Sequence, residues 1–360
     1  MCVRKVIRKE KEVKTIVKVT ERIYGLRCSI KKFKSIAKNY LKTFSAPEAN
    51  AIFLWGPVGI GKTSAVRQLA EELGISWIDL RLASCDIIDL RGPFLVKGEK
   101  AGWYRPNNLP DSGKGILFLD EFNLANEEVL KASQQLVLDR VIGEHKLGDN
   151  WYIFAAGNRR EDVPYVAELS EAIISRFNHF EIQFSFDEFV EYAIEKGFDP
   201  RILAFNKFKP SFTSIPNRNT INFPCPRTWE FCSKLLKAGI APYEAAAISV
   251  GPATAAEFEG FLKVYNELPN IEKILDGKEF PEIDKLDVLS AVCTTIVIRA
   301  EKPAHYKAIL DYALFLAKES KKEFGAFLIR MLFAKIKEQI ATLPNWEKIV
   351  EVYYDPFMGD

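Results

Sequence analysis

The run Gly56-Pro57-Val58-Gly59-Ile60-Gly61-Lys62-Thr63 fits the spacing G-x-x-x-x-G-K-[ST]. It follows the apolar stretch AIFLW and precedes SAVRQLAEELG, so it lies between a strand and a helix. Glycines at this spacing let consecutive backbone N–H groups turn inward around phosphate oxygens, and a helix N-terminus adds a favourable dipole. Lys62 is expected to reach the terminal phosphates of a bound nucleotide, and Thr63 to place its hydroxyl on Mg²⁺. With Ser64 the stretch from Gly56 is assigned to nucleotide binding.

A second run, Ile116-Leu117-Phe118-Leu119-Asp120-Glu121, is an apolar strand that ends in two adjacent carboxylates. Ligands of open α/β sheets gather at the carboxyl edge of the strands. Asp120 is expected to hold Mg²⁺, directly or through water, and Glu121 to orient and deprotonate an attacking water. Either run alone has bland readings, a glycine turn or an acidic strand end. Together they imply hydrolysis of ATP with Mg²⁺, and intact Asp120 and Glu121 speak against a scaffold that binds without turnover.

Other chemistries find no support. The three histidines, His145, His179 and His305, lack metal-ligand spacing, and the six cysteines are scattered without a CxxC pair, as expected of reduced, mostly buried thiols. No long apolar run suggests a membrane span or a signal core, so the sequence reads as cytoplasmic.

The elements that must position these residues follow from the apolar pattern. Short apolar runs at 51–55, 76–82, 115–120, 151–157 and 179–184 alternate with amphipathic stretches, which predicts buried parallel strands with helices on both faces. After Ser185 the strands stop. Ser185 and Glu188 have capping-box spacing, and helices are predicted from there to the end, with a loop over 210–226 and Pro226 opening a helix. The predicted fold is α/β: a three-layer αβα core with a parallel sheet over 46–184, then an all-helical lid and C-terminal helices over 185–360. Residues 1–45 carry 14 Lys/Arg against three acids, although the whole chain has a net charge of only +2, and are read as a basic N-terminal extension. Within it, 3–20 suggests a ribbon or edge strand.

In five blocks over roughly 47–265 the chain resembles the AAA+ ATPases, and within them the MoxR-like group: GPVGIGKT, ILFLDEFN, YIFAAGNRRE, LSEAIISRFNHFEI and CPRTWEF. The resemblance implies that Asn158 is the sensor that holds the water or γ-phosphate, that Arg176 is an arginine finger, and that Arg227 is a lid sensor touching nucleotide. Read without it, Asn158 is a turn residue, Arg176 a helix-end arginine satisfied by the local dipole, and Arg227 a local ion-pair partner. Where MoxR-like proteins usually carry Ser or Thr before the Pro-Arg, this chain has Cys225, a poorer cap. The insert 86–110 corresponds to a hairpin that faces the ring pore or a partner in family members; Phe94, Trp103 and Tyr104 either grip a substrate there or staple the insert to its own domain.

The single phosphate loop and the resemblance imply a ring, a hexamer, whose sites are completed between subunits. The expected function is remodelling or maturation of a protein partner, often with a von Willebrand factor A domain protein; the alternative is a nucleic-acid motor or loader using the basic arm.

Overall fold

A computed structural model of the chain describes residues 23–97, 99–163, 166–214 and 220–353; the ribbon expected over 3–20 lies outside them. The strands in chain order are β1 (Leu26–Cys28), β2 (Ala51–Trp55), β3 (Ser76–Arg81), β4 (Phe94–Lys97), β5 (Lys100–Trp103), β6 (Gly115–Asp120), β7 (Val141–Ile142), β8 (His145–Lys146), β9 (Trp151–Gly157) and β10 (Phe177–Ile182). Among the described residues, six of them form one parallel sheet in the order β1-β10-β2-β9-β6-β3. The pairs β4–β5 and β7–β8 are separate antiparallel hairpins.

The central strands read as continuous apolar runs because both of their faces are covered. Ile52, Leu54, Ile116, Phe118, Phe154 and Ala156 pack on one side, under helices α1 (Ile30–Thr43) and α2 (Lys62–Leu73). Phe53, Trp55, Leu117, Leu119, Ile153 and Ala155 pack on the other, against Phe122 and helix α3 (Glu127–Asp139), as alternation along a strand requires.

Helix α1 lies inside the basic segment. Ser29 caps it by accepting the Lys32 N–H (3.4 Å), and Phe33, Ala37 and Leu41, four residues apart, form its buried stripe. Of the basic side chains from here, Arg27, Lys31, Lys34 and Lys38 are paired with carboxylates of the body: Glu181, Glu191 and, for the last two, Glu72.

Past β10 the described chain is helical. Helix α4 (Phe186–Glu195) opens with half of its expected reciprocal cap: Ser185 Oγ accepts the Glu188 N–H (3.4 Å), but the Glu188 carboxylate accepts the backbone N–H of Lys31 instead (3.1 Å). That bond ties the helical part to the start of α1. Helix α5 (Pro226–Lys237) is capped from within, since Thr228 Oγ1 accepts the Cys225 N–H (2.9 Å) and makes up for the weak thiol. The helical core is centred on Leu286–Arg299, Pro303–Lys318 and Lys322–Ile336, and Arg330 of the last pairs with Asp187 of α4. Among the described residues no helix is long and apolar enough to cross a membrane.

Candidate active site

The sheet order places the chemistry. Because β9 lies between β2 and β6, the residue after its last one falls between the loop after β2 and the carboxylates ending β6. Trp55 pairs with Gly157, and Leu119 with Ala155, so Gly56, Asn158 and Asp120 share the carboxyl edge.

The loop Gly56–Gly61 is held by backbone conformations that glycine adopts without strain. Gly59 has φ +77°, and a Cβ on it would lie 2.6 Å from Cys225 Sγ, so both backbone and space require glycine. The first helical N–H groups of α2 follow Gly61, which provides no side-chain cap, and they remain available to phosphate oxygens.

Lys62 Nζ, buried at this edge, donates to the Gly56 carbonyl (2.7 Å), the Pro57 carbonyl (3.0 Å) and Asn158 Oδ1 (3.2 Å). Burial pushes its ammonium down to about 8; Asp120 and Asp162 oppose that shift, while Arg227 and Arg159 add to it. Thr63 Oγ1 donates to Asp120 Oδ2 (2.6 Å), and Asp120 Oδ1 accepts the N–H of Glu121 (2.8 Å). A hydroxyl and a carboxylate in contact beside a phosphate cradle are hard oxygen donors of the kind Mg²⁺ takes, with the rest of its shell left to water and phosphate. Among the described residues no cluster of three or more His, Cys, Asp or Glu offers a cage independent of nucleotide.

Glu121 sits at φ +55°, an unfavourable conformation for a residue with a side chain, and lines the same cleft. The cleft has a volume of about 550 Å³ and runs from the loop, Asp120 and Asn158 to α4 and α5, where Arg227 lines it. Lys62, Thr63, Asp120, Glu121, Asn158 and Arg227 therefore meet in one place. Arg176 does not line it; its guanidinium donates to the Ala172 carbonyl of the short helix Glu171–Ile174 that precedes it.

Sequence reasoning missed two features. Asn123 joins its side chain to the main chain of Asn158 through both of its amide atoms. Arg159, next to Asn158, chelates Asp162 (2.6 and 2.9 Å) and bonds Glu181 (2.9 Å), which also accepts from Arg27 (3.3 Å). The sequence signal was faint: an Asn two residues past Glu121, and an Arg following Asn158.

The phosphate cradle, the Mg²⁺-type oxygens and an adjacent strained glutamate on a parallel sheet define a P-loop nucleotide hydrolase. Residues 52–187 match the family described as "ATPase family associated with various cellular activities (AAA)", so this unit is an AAA domain and the chain is an ATPase. No curated protein matches the chain. Among solved structures the chain is similar to the Thermotoga maritima RuvB Holliday junction branch migration motor (15% identity, 87% of this chain and 86% of that chain, TM-score 0.34). It is also similar to NtrX from Brucella abortus in complex with ADP (15%, 89% and 72%, TM-score 0.39) and to a DNA replication initiation factor (15%, 85% and 94%, TM-score 0.34).

Proposed function

We propose that this ATPase is MoxR-like: a ring, a hexamer, that binds and hydrolyses ATP with Mg²⁺ to remodel or mature a protein partner, with a von Willebrand factor A domain protein as a candidate partner. The convergence of Lys62, Thr63, Asp120 and Asn158 at one strand edge supports the chemistry. In this reading Gly56 to Ser64 hold the phosphates, Thr63 and Asp120 hold the metal, Glu121 activates water, Asn158 senses the γ-phosphate, Arg227 reports from the lid, and Arg176 serves the neighbouring subunit. Mg²⁺ supplies charge neutralisation on the phosphate oxygens. The proposed division takes 46–184 as the nucleotide domain and 185–360 as the helical region; of the segment 1–45 expected as an extension, β1 and α1 pack with the nucleotide domain.

The client reading rests on the five sequence blocks and on the β4–β5 hairpin. Trp103 packs edge-on against Phe94 (5.2 Å), while Phe94, Val96 and Tyr104 remain 55%, 75% and 66% exposed. Apolar groups displayed this way suit a polypeptide partner. The nucleic-acid reading rests on the basic arm, and the ion pairs of Lys31, Lys34 and Lys38 take charge away from it.

The test is a trap. Glu121→Gln is expected to keep ATP affinity and lose hydrolysis by about 10² or more, and with ATP but not ADP to retain a protein from nuclease-treated native extract. Adding that protein to the parent enzyme should raise turnover. Stimulation by DNA or RNA that is lost on deleting residues 1–22, a deletion that leaves β1 and α1 in place, would replace the client reading with the motor.

A further inference from the structure

We propose that Asn123 is a positioning residue for Asn158, an inference that rests on the reading of Asn158 as the γ-phosphate sensor. A sensor at a strand end has a physical problem. The ladder's last pair is Trp55 with Gly157, so the next peptide is past the sheet's hydrogen bonds, yet its side chain has to be aimed to within a fraction of an ångström. Asn123 closes this gap. Its Oδ1 accepts the N–H of Asn158 (3.1 Å) and its Nδ2 donates to the C=O of Asn158 (2.8 Å).

Two opposite bonds to one residue's backbone fix that residue's rotation about the strand axis, which a single bond does not. The side chain that leaves this fixed backbone brings Asn158 Oδ1 to 3.2 Å from Lys62 Nζ. Only a primary amide carries an acceptor and a donor in this arrangement; a carboxylate would set an oxygen against the Asn158 carbonyl, and an alkyl group would satisfy neither side.

The surroundings are shaped for this contact. Asn123 is 2% exposed, and a Cβ on Gly157 would stand 2.7 Å from its Oδ1 and 3.0 Å from the Phe53 ring, so glycine is what lets the amide reach the strand end. The backbone carbonyl of Asn123 also accepts the Ala167 N–H (2.8 Å), at the segment leading to Glu171–Ile174 and Arg176. Asn123 thus joins the end of β6 to the sensor through its side chain and to the segment leading to Arg176 through its backbone, and a side-chain substitution severs only the first link.

The experiment is a cycle of kcat and KM for ATP in Asn123→Ala, Asn123→Asp, Asn158→Ala and the two Asn123 changes combined with Asn158→Ala, with thermal melts of each. Asn123→Ala is expected to lower kcat by about 10- to 100-fold with KM little changed, and Asn123→Asp, which sets a carboxylate oxygen against the Asn158 carbonyl, by at least as much. In the Asn158→Ala background neither Asn123 change should lower kcat further, because no sensor is left to aim. A purely structural role would instead give losses that multiply in the double variants, and that result would overturn the inference, as would parental kcat in every folded Asn123 variant. Should Asn123→Ala fail to fold, the Asp variant, of equal size, completes the cycle. Parental kcat in Asn158→Ala would overturn the sensor reading itself, with a signature distinct from either.

Discussion

Lys62 is a cation held out of water by the fold, and the consequence is a pH dependence with a definite sign. In the free protein its ammonium is pushed down to about 8, below the 10.5 of an ordinary lysine. Between these values the folded chain binds fewer protons than the unfolded one. A charged Lys62 is therefore a net cost to the ligand-free fold below about pH 8, and that cost fades as pH rises towards 10.5. Phosphates favour the charged form, so nucleotide binding must take up a proton wherever the free lysine has lost it. Affinity for a non-hydrolysable ATP analogue is expected to hold up to about pH 8 and then to fall by up to about tenfold per pH unit. Titration calorimetry in buffers of different ionisation enthalpy should show proton uptake that grows through the same range. An affinity unchanged at about pH 9 would mean that burial does not perturb Lys62 as the geometry implies.

Helix α1 shows why an element can be part of the fold and still be read as an appendage. Its composition is basic, and charge is the first property a sequence displays. Yet Phe33 is fully buried, edge-on to Phe154 (6.4 Å) and Phe180 (5.3 Å), so the helix closes one face of the sheet. Phe33→Ala is expected to destabilise the protein by about 3–5 kcal/mol in denaturant unfolding, the range for emptying a buried aromatic site; a change below about 1 kcal/mol would fit an ornament rather than a core helix. The central strands were legible because burial on both faces makes them apolar throughout, and the loop after β2 because its glycine spacing is dictated by phosphate. Strand β1 was not legible: three residues, with only Cys28 buried, are defined by pairing to β10 rather than by pattern. The last sheet strand was expected over 179–184 but runs from Phe177 to Ile182, since Phe177 already packs beside Phe53 and Phe122. The link from Asn123 to Asn158 spans 35 residues and exists only because β6 and β9 are neighbours, which no local pattern announces.

At the scale of the whole molecule the cleft and Arg176 stand apart within one chain. The cleft gathers Lys62, Thr63, Asp120, Glu121, Asn158 and Arg227, but Arg176 does not line it and donates to the Ala172 carbonyl. If Arg176 completes the site of a neighbour, the two halves of an active site belong to different subunits and can be separated by mutation. Arg176→Ala keeps a good pocket and presents no finger, whereas Lys62→Ala presents a good finger and has no working pocket. Loss of a finger is expected to lower turnover by about 10³ to 10⁵ while leaving binding nearly intact. The decisive measurement is ATP turnover of the two variants mixed over a range of ratios, each also assayed alone and co-assembly followed by light scattering. The shared-site account predicts two nearly inactive proteins whose mixture recovers activity at interfaces that pair an intact pocket with an intact Arg176. No recovery in mixtures that demonstrably co-assemble, or full turnover by Arg176→Ala as a monomer, would contradict it and return Arg176 to the role of an ordinary helix-end residue.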